Sequence, residues 1–342
     1  MKSQLKYTIL FAFLTGIVVV AINRFSNDSP VSKRHIFYRM DTVTEISIIV
    51  QSGFNADLLW KQVDEYLRVS ERRFSVTHPD SEIKLLNERV NQSMPVSEEV
   101  AEMIGAGIKY GDKLNGMFDI TILPLKEMWG FAENSPGHKK VPDSAEIAQA
   151  LSKVDYRTVE LDESMGIVTF TNKDTQLDLG GLAKGFIIRG VESILKEHGI
   201  TDFLIVSGGD ILVSGKKADA TPWIIGIQHP RERARMLGRV ELTSGAIVTS
   251  GDYERYRIVE GERLHHIFNA RTGYSCDKNQ SVTVWASDPL TADILSTGLF
   301  CFTAEEIMEF VEAKDGIESV VVSSGGQVYV SRGWEREVLL YP

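Results

Sequence analysis

Cysteine is almost missing from this 342-residue chain: Cys276 and Cys301 are its only two, with no CxxC pair or other metal-ligand spacing. That pattern favours structural or incidental cysteines over a thiolate centre, and a disulfide between the two stays open in an oxidising compartment. An excess of basic residues is missing as well. The formal net charge is −10, which argues against extended binding to a nucleic-acid backbone but leaves room for a local basic pocket around one nucleotide. Neither G-x-x-x-x-G-K-[ST] nor G-x-G-x-x-G occurs, so the chain carries no P-loop and no dinucleotide fingerprint. From Arg34 onward there is no low-complexity tract, no internal repeat and no long linker.

One long apolar run exists, from Tyr7 to Asn23, preceded by Lys2 and Lys6 and closed by Arg24. It reads as an export signal or an anchor, with residues 1–24 as that segment and the polar residues 25–33 as a linker. The run has about the length of the shortest membrane span, and no small-x-small cleavage site follows it, which favours an uncleaved anchor. The absence of a nearby cysteine excludes a lipid-modified one. Residues 34–342 then form one compact catalytic body outside the cytoplasmic membrane. With 43% hydrophobic and 25% charged residues, that body has an ordinary globular composition and enough apolar side chains for a sizeable core.

Periodicity divides the body into helices and strands. Thr42 to Val50 alternates as a strand, and Asp57 to Val69 has the helical spacing of Leu58, Leu59, Val63, Tyr66 and Leu67. Ser97 followed by Glu98 and Glu99 starts a helix that runs to about Leu114, where Asn115-Gly116 stops it. A hairpin is expected from residues 157–161 and 166–171, and a helix from Gly181 to His198 before Gly199. Phe203 to Val206 leads into the turn Ser207-Gly208-Gly209-Asp210, and short strands follow at 223–228, 238–242, 256–260 and 281–285. Helices at about 291–301 and 303–313 precede a last hairpin around Gly325-Gly326. Irregular alternation with antiparallel hairpins predicts an α+β fold, with mixed and largely antiparallel sheets, rather than a doubly wound sheet.

Four stretches carry chemistry. Asp178-Leu179-Gly180-Gly181-Leu182-Ala183-Lys184-Gly185 passes from a strand end into a helix start, where free N–H groups and glycines suit an anion and Lys184 adds charge; a plain capped turn has the same pattern. Asp293 and Thr297 lie four apart on one face of an apolar helix. With main-chain carbonyls they are oxygen ligands suited to Mg²⁺, and a buried Asp needs some partner. His265-His266 follow a strand and precede the turn Arg271-Thr272-Gly273; a histidine titrating near neutrality is a natural general base, and strand neighbours face opposite ways. The segment Gly116 to Phe131 adds aromatics around Asp119, which could cover a planar ring or form a core segment broken at Pro124.

These pieces, taken in order with Met40-Asp41-Thr42, Pro79 to Ile83 with Leu86-Asn87, Ser207 to Asp210, Thr249 to Tyr253 and Ala292-Asp293 with Ser296-Thr297, resemble the FAD:protein FMN transferases, the ApbE family, from about Met40 to Tyr329. The resemblance implies a flavin transferase of the bacterial cell envelope, on the periplasmic side of the inner membrane. Such enzymes bind FAD and Mg²⁺, attach FMN through a phosphoester to a Thr or Ser of an acceptor protein, and release AMP. It places Met40, Met117, Phe118, Asp119, Asp178, Lys184 and Ile267 around FAD, Gly181, Asp293 and Thr297 on the metal, and His266 as the base. Subunits of sodium-translocating NADH:quinone oxidoreductase and related electron-transfer complexes are the implied acceptors. Three positions depart from the family pattern: Asp41 replaces a glycine, Thr77 a tyrosine, and Asn269-Ala270 an Asp-Pro pair. Two alternatives remain open: an FAD-binding protein without transferase activity, and an Mg²⁺-dependent FAD pyrophosphatase.

Overall fold

Alternating side chains build the first hairpin, Pro30–Arg39 (β1) with Thr42–Gln51 (β2), whose Thr44, Ile46, Ile48 and Val50 face inward. A computed structural model describes residues 29–40, 42–89, 91–132, 141–259 and 261–341. The apolar segment 1–24 and Asp41 lie outside these. Strand β1 starts inside the segment expected to be a linker, because Pro30 already pairs with Gln51 and Lys33 with Ile48. The folded body therefore begins before residue 34.

Helices Asp57–Phe74 (α1) and Glu82–Asn87 (α2) follow, then Ser93–Pro95 (β3) and Glu98–Lys113 (α3). Helix α1 outruns the expected end at Val69. Ser97 caps α3 by accepting from Val100 N–H, and Asn115 and Gly116 end it in left-handed conformations (φ 53° and 75°), as expected. Pro124 does not break a helix. It sits in the first turn of Leu123–Met128 (α4), where no N–H is required of it. Ser144–Leu151 (α5) precedes the hairpin Val159–Asp162 (β4) and Ile167–Phe170 (β5), to which β3 adds a third strand.

Ala183–Glu197 (α6) then leads to Phe203–Ser207 (β6), Asp210–Ser214 (β7), Trp223–Gln228 (β8), Met236–Leu242 (β9) and Ser244–Gly251 (β10). The ribbon Tyr256–Val259 (β11) and Glu262–His265 (β12) precedes Asn279–Ala286 (β13), Pro289–Gly298 (α7) and Ala304–Glu312 (α8). The chain closes with Ile317–Ser323 (β14), Val328–Val330 (β15) and Leu339–Leu340 (β16).

Eight strands form one antiparallel sheet in the order β1-β2-β6-β7-β10-β13-β14-β15. Its two faces are both covered. Ile46, Ile48, Ile205 and Val248 pack on α1 and α6 through Leu59, Val63, Ile187 and Val191. On the other face Val213, Ile247, Val320 and Val322 meet Trp223, Ile225 and Val240 of the small β8-β9-β16 sheet. Each such fully buried aliphatic side chain contributes about 1.5–3 kcal/mol relative to exposure. A third cluster joins α3, α7 and α8 to β13 and β14, and within it Cys276 and Cys301 form a disulfide with Cα atoms 5.0 Å apart. Among the described residues no helix is long and apolar enough to cross a membrane. The result is a single α+β body, and its turns β1–β2 and β6–β7, the start of α6 and the helix α7 gather at one place.

Candidate active site

Helix α7 enters the core because Asp288 caps it and Pro289 starts it, and it buries Ala292, Ile294, Leu295 and Ser296 together with Asp293. Asp293 is only 2% exposed. Its Oδ2 accepts the N–H of Gly185 at 2.8 Å, in the first turn of α6. That contact depends on the glycine: a Cβ on Gly185 would lie 2.4 Å from Pro289 O and 2.8 Å from Asp293 Cβ. Burial, then the charge of Asp210, pushes the Asp293 carboxyl up to about 7, with Lys184 pulling the other way. A carboxylate so placed favours any added positive charge.

Lys184 does not stand free. Its Nζ lies 2.6 Å from Oδ2 of Asp210, the last residue of the Ser207-Gly208-Gly209-Asp210 turn. Burial works against its charge, but Asp210 and Asp293 outweigh it and raise its pKa. Thr297, one turn after Asp293, shares a hydroxyl cluster in which Ser250 Oγ lies 2.9 Å from Ser296 Oγ and 3.3 Å from Thr297 Oγ1. Gly181 sits against this cluster: a Cβ there would lie 3.1 Å from the Phe118 ring and 3.4 Å from Thr297 Cγ2. The expected cation residues Gly181, Asp293 and Thr297 are thus brought together, with Lys184 and Phe118 beside them.

Asp178 is buried and accepts from Lys126 Nζ and from Gly180 N–H, each at 2.8 Å. Burial alone would raise its pKa; the charge and hydrogen bond of Lys126 overturn that and lower it. Asp119 is occupied by its own fold, since its carboxylate accepts Thr121 N–H, Thr121 Oγ–H and Tyr156 N–H at 2.7, 2.6 and 3.0 Å. It braces the loop that presents Phe118 and the half-buried Met117. Met40 holds a left-handed conformation (φ 57°) in the β1–β2 turn and donates its N–H to Glu71 Oε1 at 2.6 Å. Gly208 N–H donates to Val43 O at 3.1 Å, which ties that turn to the one carrying Asp210.

The adjacent histidines separate as expected for strand neighbours. His265 is 3% exposed, donates Nε2–H to Cys276 O at 2.7 Å and accepts Ile267 N–H on Nδ1 at 3.3 Å, so both ring nitrogens are used. His266 is half-buried and donates Nδ1–H to Arg255 O at 3.3 Å. Among the described residues its Nε2 has no hydrogen-bond partner, so its lone pair is open to an incoming donor. Its pKa departs from the neutral value expected: burial, then the charges of Lys126 and Arg255, push it down to about 3. The same two cations also act on Asp178, which places His266 and Asp178 in one electrostatic neighbourhood.

Lys126, Arg255, Ser250 and Asp210 are site residues that carry no individual role in the sequence reading. Each lies within or beside a motif, but its partner is far along the chain, 52 residues for Lys126 and Asp178. The departure at Asn269 is accommodated, because its Oδ1 accepts Arg271 and Thr272 N–H at 2.9 and 3.2 Å and holds the turn. A pocket of about 380 Å³ between α4 and α5, bordered by Glu127, Glu146 and Lys153, includes none of the candidate residues. Among the described residues no three His, Cys, Asp or Glu side chains are placed to share a metal ion. The donors at Asp293 are instead one carboxylate, hydroxyls and main chain, the mixed oxygen set that a hard cation accepts.

A helix start with glycines, a buried carboxylate beside hydroxyls, three cations and a neutral imidazole define a class: a phosphate-handling α+β enzyme. The chain belongs to the ApbE family, whose profile matches residues 40–331. It is similar to the FAD:protein FMN transferase of Salmonella typhimurium, 28% identical over 84% of this chain and 83% of that protein. Among solved structures, an ApbE protein of Thermotoga maritima is 31% identical with a TM-score of 0.83, covering 90% of this chain and 99% of that one. The flavin transferase ApbE from Vibrio cholerae is 26% identical with a TM-score of 0.80, covering 89% and 99%.

Proposed function

We propose that this protein is an Mg²⁺-dependent FAD:protein FMN transferase. The observation that carries the reading is the meeting of Asp293, Thr297, Gly181 and Lys184 where α6 starts, with His266 and Asp178 both under the charges of Lys126 and Arg255. The relatives named FAD:protein FMN transferase support it. Met40, Met117, Phe118, Asp178, Lys184 and Ile267 would border FAD, and Asp119 would act through the loop it braces. Mg²⁺ bound by the Asp293 carboxylate, the Thr297 hydroxyl and the Gly181 main chain would neutralise phosphate charge.

The remaining chemistry belongs to the chain. His266 Nε2 takes the proton of the acceptor hydroxyl, whose oxygen forms a bond to the FMN-side phosphorus while the bond to the bridging oxygen breaks and AMP leaves with that electron pair. Arg255 O keeps the proton on Nδ1, so the basic nitrogen is the outward one. Lys126, Arg255 and Lys184 offset phosphate charge. Residues 1–24 would hold the body at the periplasmic side of the inner membrane, where subunits of sodium-translocating NADH:quinone oxidoreductase or related complexes would present the Thr or Ser.

The test is incubation with FAD, Mg²⁺ and such an acceptor domain, followed by flavin fluorescence of the denatured acceptor and quantitation of AMP. Labelled acceptor with equimolar AMP is expected. Free FMN and AMP without label would make the protein a pyrophosphatase, and intact FAD would make it a binding protein.

A further inference from the structure

The segment that carries His266 and the helix that carries Asp293 and Thr297 are joined by a covalent bond that the proposed reaction does not itself use. Cys276 closes the loop after His266: its N–H donates to Ile267 O at 3.0 Å, and its carbonyl accepts Nε2–H of His265 at 2.7 Å. The residues on both sides of His266 are therefore tied to Cys276. Cys301 lies just beyond α7, where Leu299 N–H to Leu295 O (3.0 Å) and Phe300 N–H to Thr297 O (3.3 Å) continue the helical path from the cation residues. The disulfide closes this circuit. Parallel contacts run beside it: the His265 ring meets the Phe300 ring at 5.5 Å, and Asn279 Nδ2–H donates to Phe300 O and Phe302 O at 2.9 and 2.8 Å.

Resting on the transferase reading, we propose that the Cys276–Cys301 disulfide is a positioning cross-link of the active site, fixing the His266 segment against the helix that carries Asp293 and Thr297. Ring contacts and hydrogen bonds can slide by fractions of an ångström while the core stays folded; a covalent bridge removes that freedom. The attacking hydroxyl must reach base and phosphorus together, and a misplacement of about 1 Å costs up to about 10²-fold in rate. Of the residues placed at FAD, only Ile267 adjoins the bridge; Met40, Met117, Phe118, Asp178 and Lys184 lie on segments that it does not touch. Loss of the bridge should therefore lower turnover far more than FAD affinity.

The experiment compares the full chain with Cys276→Ala, Cys301→Ala and the double variant at a temperature well below melting. Transfer kcat is measured at saturating FAD, Mg²⁺ and acceptor, and FAD affinity by quenching of flavin fluorescence. The expected result is a kcat loss of roughly 10- to 100-fold, the same in each single variant as in the double, with FAD affinity changed by less than about twofold. Unchanged kcat with only a lower melting temperature would overturn the proposal, as would weaker FAD binding at full kcat. If the variants do not fold, the wild-type protein is compared before and after reduction by dithiothreitol, which becomes a cyclic disulfide as two protein thiols form; alkylation and mass measurement count those thiols. Reduction should lower kcat and reoxidation restore it, whereas full kcat with two free thiols would overturn the cross-link's role. A wild-type protein that transfers nothing would instead refute the transferase reading, and with it this role.

Discussion

Asp293 combines deep burial, a single N–H donor from Gly185 and a neighbouring Asp210, so its charge is costly until a cation balances it. Asp293→Ala should abolish Mg²⁺-dependent FAD turnover while circular dichroism stays native; transfer at the parental rate, with or without Mg²⁺, would remove Asp293 from the cation site. The two histidines should part company when replaced. His266→Ala is expected to slow transfer by roughly 10²–10⁴-fold, the usual worth of a general base. His265→Ala should mainly lower the melting temperature, because His265 uses both ring nitrogens inside the core. Equal rate losses in both would reverse the assignment.

The pH dependence follows from the same two residues. Both have pKa values below the ordinary 6.5, so the unfolded chain binds protons that the folded one refuses. The associated stability is intact above pH 6.5 and is lost as pH falls toward the folded value of about 3 for His266. Melting temperature should decline below about pH 6.5, and the His266 ring signals in NMR should stay those of neutral imidazole between pH 8 and 5 in the free protein. A titration of His266 near 6.5 would contradict the cationic environment of Lys126 and Arg255. At this scale the motifs were legible, but the pairings Lys184–Asp210 and Lys126–Asp178 were not, since residues far apart in the chain meet only after folding.

Helices α6 and α7 cross where Gly185 has no side chain. Gly185→Ala would force its new Cβ against the carbonyl of Pro289, so the helices must separate, with an expected cost of about 1–3 kcal/mol and weakened support of Asp293. Urea denaturation measures the first effect, and Mg²⁺ dependence of FAD turnover the second; a variant with parental values in both would show that the crossing is slack. Elements with local signals were legible in the chain: α3 by its Ser97 cap and Asn115-Gly116 stop, and β4–β5 by alternation. Strand β1 was missed because it is an edge strand with only Phe37 fully buried. Pro124 left its segment ambiguous, because the same residue type breaks a helix interior and begins a helix start.

The whole molecule hangs on one eight-stranded sheet whose edge is β1, entered directly from the N-terminal segment. A protein beginning at residue 29 should be soluble, bind FAD and transfer FMN, because it keeps β1 and loses only the segment before it. One beginning at residue 42 should aggregate, since it exposes the open edge and inner face of β2. Size-exclusion chromatography with FAD titration checks both; loss of binding in the longer form would mean that residues 1–28 contribute to the fold. By itself the sequence determined the α+β class and the family, and paired Asp293 with Thr297 on one helix face, because periodicity, caps and short motifs are properties of neighbouring residues; Gly181 and the choice of His266 came only with the family resemblance. Tertiary structure alone decided strand order, the disulfide, the ion pairs of Lys126 and Lys184 and the depressed His266, because burial and charge proximity arise between segments that only the folded core brings together.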